Sequence, residues 1–171
     1  TWRHVAPTWA RDGAWIYFAS NRGESWQIYR VPVGGGDAEP VTVRGGVAAA
    51  EMPGGALLVL RPEHRGLFLL PPGVDGMARD QGARRLPVNL SPADWANWTV
   101  VDGLVYALER RYDRSAKVVR VDPSTGERVE VATARDVPED SGLAVFPGGR
   151  RILLAQQERT DSDIVLVRDF E

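Results

Sequence analysis

Apolar and polar positions change in short blocks along the whole chain, and no stretch has the period of a long helix. Runs of apolar, β-branched and aromatic residues are separated by clusters of Gly, Pro, Asp and Ser, which is the pattern of short strands joined by tight turns. Four turn signals recur: Arg11-Asp12-Gly13, Pro53-Gly54-Gly55, Val101-Asp102-Gly103 and Pro147-Gly148-Gly149. Their last glycines are 42, 48 and 46 residues apart. A tight hairpin needs positive φ, which these glycines supply at little steric cost. Each turn precedes an apolar run, at 15–19, 56–60, 104–108 and 152–155. A polar loop and another apolar run follow, at 27–31, 67–70, 117–121 and 163–167. Weaker outer strands are expected at 39–43, 85–88 and 128–132, and innermost strands before the turns at 6–10, 47–51, 97–101 and 143–146. Only 77–81 has the composition of a single helical turn.

The repeating unit is therefore a four-stranded antiparallel meander of roughly 45 residues, the size of one propeller blade. A sandwich would also give many short strands. Its strands would alternate, however, because an antiparallel sheet usually wets one face. The runs here are apolar at nearly every position, as expected for blades with a neighbour on each side. The expected fold is all-β and of the β-propeller type, a single segment over 1–171 with blades at 4–45, 46–90, 91–135 and 136–171. The fourth unit ends at Asp169-Phe170-Glu171, so its outer strand is expected to be missing.

The first and last units carry a recognisable motif. Trp9-Ala10-Arg11-Asp12-Gly13, then Trp15-Ile16-Tyr17-Phe18-Ala19 and Ser20-Asn21-Arg22-Gly23, resembles the TolB-like, WD-like propeller repeat. Trp26 to Pro32 with Gly34-Gly35, and Pro40-Val41-Thr42, are similar to its later strands. Ser162 to Val167 with Asp169-Phe170 is similar to the closing repeat of the C-terminal propellers in bacterial transcriptional regulators and kinases. Units two and three match only in spacing. The resemblance implies rings of six or more blades. Two arrangements follow. Thr1-Trp2-Arg3 resembles the tail of an outer strand and could close a four-bladed ring. Alternatively the chain is part of a larger propeller, with apolar blade faces that need covering, and two copies would join as halves of an eight-bladed ring. The second is expected, with a homo-oligomer or pairing to the remaining blades.

Composition narrows the chemistry more than the fold. The 171 residues contain no cysteine, so disulfides, thiolate metal sites and cysteine nucleophiles are excluded. Twenty Arg and the single Lys117 stand against 23 acidic residues, for a net charge of −2. No basic stripe points to nucleic acid, and no polybasic amphipathic stretch points to a membrane surface. Either the periplasm or the cytoplasm of a bacterium fits.

Catalytic sets are not legible. The Gly34-Gly35-Gly36 run joins strands and does not open a helix, so it is no phosphate loop. No Gly-x-Ser-x-Gly elbow is present. His4 and His64 lie in different units and read as solvated side chains. Asp161-Ser162-Asp163 lacks the glycine and glutamate of a calcium loop and reads as the polar start of a strand. No cofactor, metal or catalytic residue is expected. Trp9, Trp15 and Trp26 read as packing residues. Trp95 is the best exposed-aromatic candidate, in the loop leading to the third innermost strand. Arg111 and Tyr112 lie in the polar loop of that unit, and both types are favoured at interfaces. Packing or a solvated charge run is the blander reading of each. Glu51, Asp94, Asp140 and Asp161 complete the expected partner face, and Gly13, Gly55, Gly103 and Gly149 the structural turns. The expected function is a non-enzymatic interaction or sensor module for a protein, peptide or small ligand, within a larger bacterial regulator. The alternative is the gating propeller of a prolyl-oligopeptidase-like hydrolase. A small-glycan lectin using Trp95 and Tyr112 is a third.

Overall fold

A computed structural model describes residues 2–73, 80–138, 142–158 and 161–168, with Glu158 and the last stretch as backbone only. The expected helical turn at 77–81 lies mostly outside these residues. Among the described residues, fifteen strands form three four-stranded sheets and one three-stranded sheet, all antiparallel between sequential neighbours. The chain divides into two compact units, residues 1–86 with 91–95, and residues 87–90 with 96–171.

The first unit holds two blades. Strands β1 (His4–Trp9), β2 (Trp15–Ser20), β3 (Gln27–Pro32) and β4 (Glu39–Pro40) form one sheet. Strands β5 (Ala48–Glu51), β6 (Leu57–Leu60), β7 (Leu67–Leu70) and β8 (Arg84–Arg85) form the next. One face of the first sheet, with Tyr17, Ala19 and Ile28, packs against Ala49, Leu57, Val59 and Leu70 of the second. Gly46 sits in the connection because Ile28 and Val59 leave no room for a Cβ there. Every residue of β6 is buried, so both faces of that strand are covered.

The second unit holds β9 (Trp98–Val101), β10 (Leu104–Arg110), β11 (Ala116–Val121) and β12 (Arg128–Ala134), followed by β13 (Leu143–Val145), β14 (Arg151–Glu158) and β15 (Asp161–Arg168). Its core joins Tyr106, Leu108 and Val118 to Leu143, Ile152 and Leu154. No strand among the described residues pairs with the outer edge of β15.

All four hairpin glycines have positive φ: Gly13 at 70°, Gly55 at 80°, Gly103 at 80° and Gly149 at 69°. They terminate the first-to-second strand hairpin of each sheet, as expected. Asp102 shares the conformation with Gly103, giving a two-residue turn of the type that matches strand twist. Pro53-Gly54 and Pro147-Gly148 instead start type II-like turns closed by Gly55 N–H to Met52 O and Gly149 N–H to Phe146 O.

Two expectations need correction. The outer strands at 39–43 and 85–88 shrink to two residues each: past Pro40 the N–H groups of Val41 and Thr42 both turn to Ile28 O while the Thr42 hydroxyl takes the Ile28 N–H, and Pro87 cannot donate to the ladder. Arg3 extends the first sheet, donating N–H to Asn21 Oδ1 at 2.7 Å and accepting from Asn21 N–H at 3.4 Å. Trp9 does not pack: it is 63% exposed, directly across from Ile16 on the uncovered face of the first sheet.

Candidate functional site

The loop of residues 111–115 joins β10 to β11 and is built as a compact closed turn. Arg111 N–H donates to Ser115 O at 2.8 Å. Ser115 returns both its N–H and its Oγ–H to Asp113 Oδ1, at 3.0 and 2.6 Å. These hydrogen bonds hold the Asp113 carboxyl below the usual carboxylate range, the hydroxyl contributing most and the nearby Arg111 charge adding to it. Arg114 turns the chain at φ 64°, and its carbonyl accepts from Val137 N–H at 3.2 Å. Its side chain reaches Asp136 at 3.7 Å and Gln157 at 3.4 Å. The result is a loop tethered to its neighbours that leaves the Tyr112 ring wholly in water. A fully exposed tyrosine on a braced loop offers a large contact area at little ordering cost.

The other expected residues separate into three groups. Trp95 is 54% exposed in its loop. Asp94 beside it is buried and accepts from Ser91 N–H and Oγ–H, both at 2.7 Å, so it caps its own turn. Glu51 is a correction. As the last residue of β5 it lies by the hairpin turn, at the opposite end of the sheet from the loops that lead into the first strand. There it accepts from Arg11 N–H at 2.8 Å and ties two hairpins together. Asp102 does the same for Gly148 N–H at 3.0 Å in the second unit. Asp140 lies outside the described residues, and the side chain of Asp161 does too.

The histidines pack on aromatic rings. His4 meets Phe18 edge-on at 5.5 Å and His64 meets Phe68 at 5.9 Å. His4, Val5, Pro7, Ile16, Phe18 and Arg22 line a groove of about 310 Å³ on the uncovered face of the first sheet. Arg22 lies over Phe18 and Tyr29, at 5.3 and 4.6 Å from the ring centres, and Arg30 lies over Trp15 at 4.2 Å. Among the described residues no group of three acidic or histidine side chains could hold a metal ion, and no helix is long and apolar enough to cross a membrane.

A second built cluster was not anticipated. Arg61, just after β6, is 7% exposed and bonds Asp80 Oδ1 through Nη2 at 2.6 Å. Asp80 Oδ2 accepts from Val43 N–H at 2.7 Å and Arg44 N–H at 3.0 Å. Asp80 lies 37 residues from Val43 in sequence, so no local spacing signals the cluster.

Comparison with solved structures assigns the fold. TolB from Acinetobacter baumannii superposes with a TM-score of 0.72 over 95% of this chain and 40% of that one, at 17% identity. A protein described as TolB from Agrobacterium tumefaciens gives 0.71 over 97% and 58%, at 18% identity. A puromycin-hydrolysing peptidase from Mycobacterium tuberculosis gives 0.55 over 91% and 26%, at 21% identity. The four sheets are thus blades of a partial TolB-like β-propeller, spanning 40% and 58% of the two TolB chains. No protein-family model and no curated protein matches the sequence.

Proposed function

We propose that the chain is a non-enzymatic interaction module that binds a protein, peptide or small ligand through loops at its strand ends, within a larger bacterial regulatory protein. The observation that carries this reading is the braced 111–115 loop with Tyr112 wholly exposed. Loops held by a rigid sheet are where binding residues concentrate. The test places a photo-crosslinking residue at position 112, and at Ser124 in the exposed turn at the other end of the same sheet as control. Capture of one defined species from bacterial lysate at 112 and not at 124, abolished by Arg111→Ala, supports the reading. Equal labelling at both positions overturns it. Hydrolysis of peptide substrates by the purified chain would favour the gating-propeller alternative.

A second surface belongs to the same reading. Trp9, Ile16 and Phe18 form an uncovered apolar face, for which we propose a second copy or a further blade as the cover.

A further inference from the structure

The pocket that holds Asp80 is built for a carboxylate, and its fit exceeds what Asp80 uses. One oxygen meets two consecutive backbone N–H groups, of Val43 and Arg44. The other meets Arg61 Nη2. Successive backbone N–H groups form an anion cradle, and a buried guanidinium supplies the opposing charge. Arg61 Nε is buried and has no hydrogen-bond partner among the described residues. Nε and Nη2 form the edge of the guanidinium that pairs with both oxygens of a planar carboxylate. Asp80 reaches only Nη2. A carboxylate free of the chain's geometry could also take up the unused donor.

Stability alone does not account for such a pair. Removing two charges from water costs about as much as their attraction returns, so an apolar pair of similar volume would serve the fold as well. Other features also suit an anion. The Arg61 Cζ lies over the Phe68 ring, 4.5 Å from its centre, and Arg85 stands across from Phe68 in the strand pairing. Arg44 and Arg85 are exposed, with Glu63 the exposed acid of the 61–66 loop. The cradle also lies at the end of the second sheet formed by its lead-in connection and its 61–66 loop.

We propose that the Arg61 cradle is a carboxylate-binding site for an acidic side chain of a partner, occupied in this state by the chain's own Asp80 as an internal stand-in. Displacing Asp80 by side-chain rotation exposes the site, so Asp80 is both competitor and gate. The proposal is independent of the loop around Tyr112.

The test follows the backbone amides of Val43 and Arg44 by NMR in the full chain. Asp80→Ala should make both resonances shift saturably with sodium formate and with N-acetyl-aspartate. Chloride at equal ionic strength should leave them in place, and phosphate should act at least tenfold more weakly than formate. The wild type should respond to formate at least tenfold more weakly than Asp80→Ala, and Arg61→Met added to Asp80→Ala should abolish the response. If Asp80→Ala does not fold, Asp80→Asn keeps the shape with a neutral occupant and should show the same carboxylate selectivity. An equal response to chloride, no saturation in either variant, or a response that survives Arg61→Met would overturn the proposal. A stronger response to phosphate would reassign the site to phosphorylated ligands and overturn the carboxylate assignment.

Discussion

A glycine with positive φ can be required by the backbone alone or by a neighbour as well, and two positions separate these causes. Gly54, at φ 82°, has nothing within 4 Å of where a Cβ would stand. At Gly149 a Cβ would overlap the hydroxyl of buried Tyr106. Gly54→Ala should therefore cost only the backbone strain, about 1 kcal/mol. Gly149→Ala should cost that plus an overpacking penalty of about 1–3 kcal/mol. Urea unfolding of both variants measures the difference, and equal losses would refute the Tyr106 contact. Tyr17 gives a pH-dependent counterpart. Burial raises its pKa above the usual 10.0, and the nearby Glu51 carboxylate adds to this. The neutral phenol is thus favoured in the fold, and its contribution is complete below the unfolded value. Stability should fall as pH rises past about 10 and the unfolded chain releases the proton more readily. Tyr17→Phe should flatten that fall, as read from urea midpoints between about pH 9 and 11. The turn glycines were legible because positive φ restricts residue choice locally. The Asp80–Arg61 cradle was not, since it depends on tertiary approach between residues far apart in the chain.

Strands were legible in proportion to how many of their faces are buried. β6, with Leu57 to Leu60 all buried, and β10, with Val105 to Leu108 all buried, read as unbroken apolar runs. The outer strands carry little such pattern, and where their ladders stop depends on contacts such as the Thr42 hydroxyl on Ile28 N–H, which no apolar run signals. Glu51 was misplaced for a related reason: composition marks a strand and its turn, but which end of the sheet a terminal residue occupies follows from the hairpin register. Trp9 was misread because an aromatic beside a turn gives the same signal whether or not its face is covered. These differences have energetic consequences within the first unit. Leu58→Ala removes a side chain buried on all sides and should cost about 2–5 kcal/mol. Phe18→Ala acts on the half-exposed face of β2 and should cost less, despite removing a larger group. Thermal unfolding of the two variants checks the order, and a greater loss for Phe18→Ala would mean that the face is covered in solution.

At the scale of the whole molecule, the proposed second copy covers that same face. Trp9 is exposed on β1, and Ile16 and Phe18 are only half-buried beside it on β2. The other face of the first sheet shows what a partner would supply, since Tyr17, Ala19 and Ile28 are sealed there by the apolar residues of the second sheet. Cover for a sheet face is a matter of packing and not of ladder hydrogen bonding, which runs along the strand edges and not across the faces. A partner must therefore lie flat on the sheet, as one blade lies on another. An exposed tryptophan at the centre of such a contact is the type of residue whose loss removes most of the binding energy. The purified chain should self-associate at micromolar concentration, with a mass by light scattering near twice the 18.8 kDa of the monomer. Trp9→Glu should return it to a monomer without unfolding it, because Trp9 is 63% exposed and contributes little to its own core. Placing a carboxylate in the apolar contact should weaken association by about 2 kcal/mol or more, roughly thirtyfold in the dissociation constant. A wild-type chain that remains a folded monomer over this range, or a Trp9→Glu variant that still associates, would show that the face of the first sheet is not the surface through which copies meet.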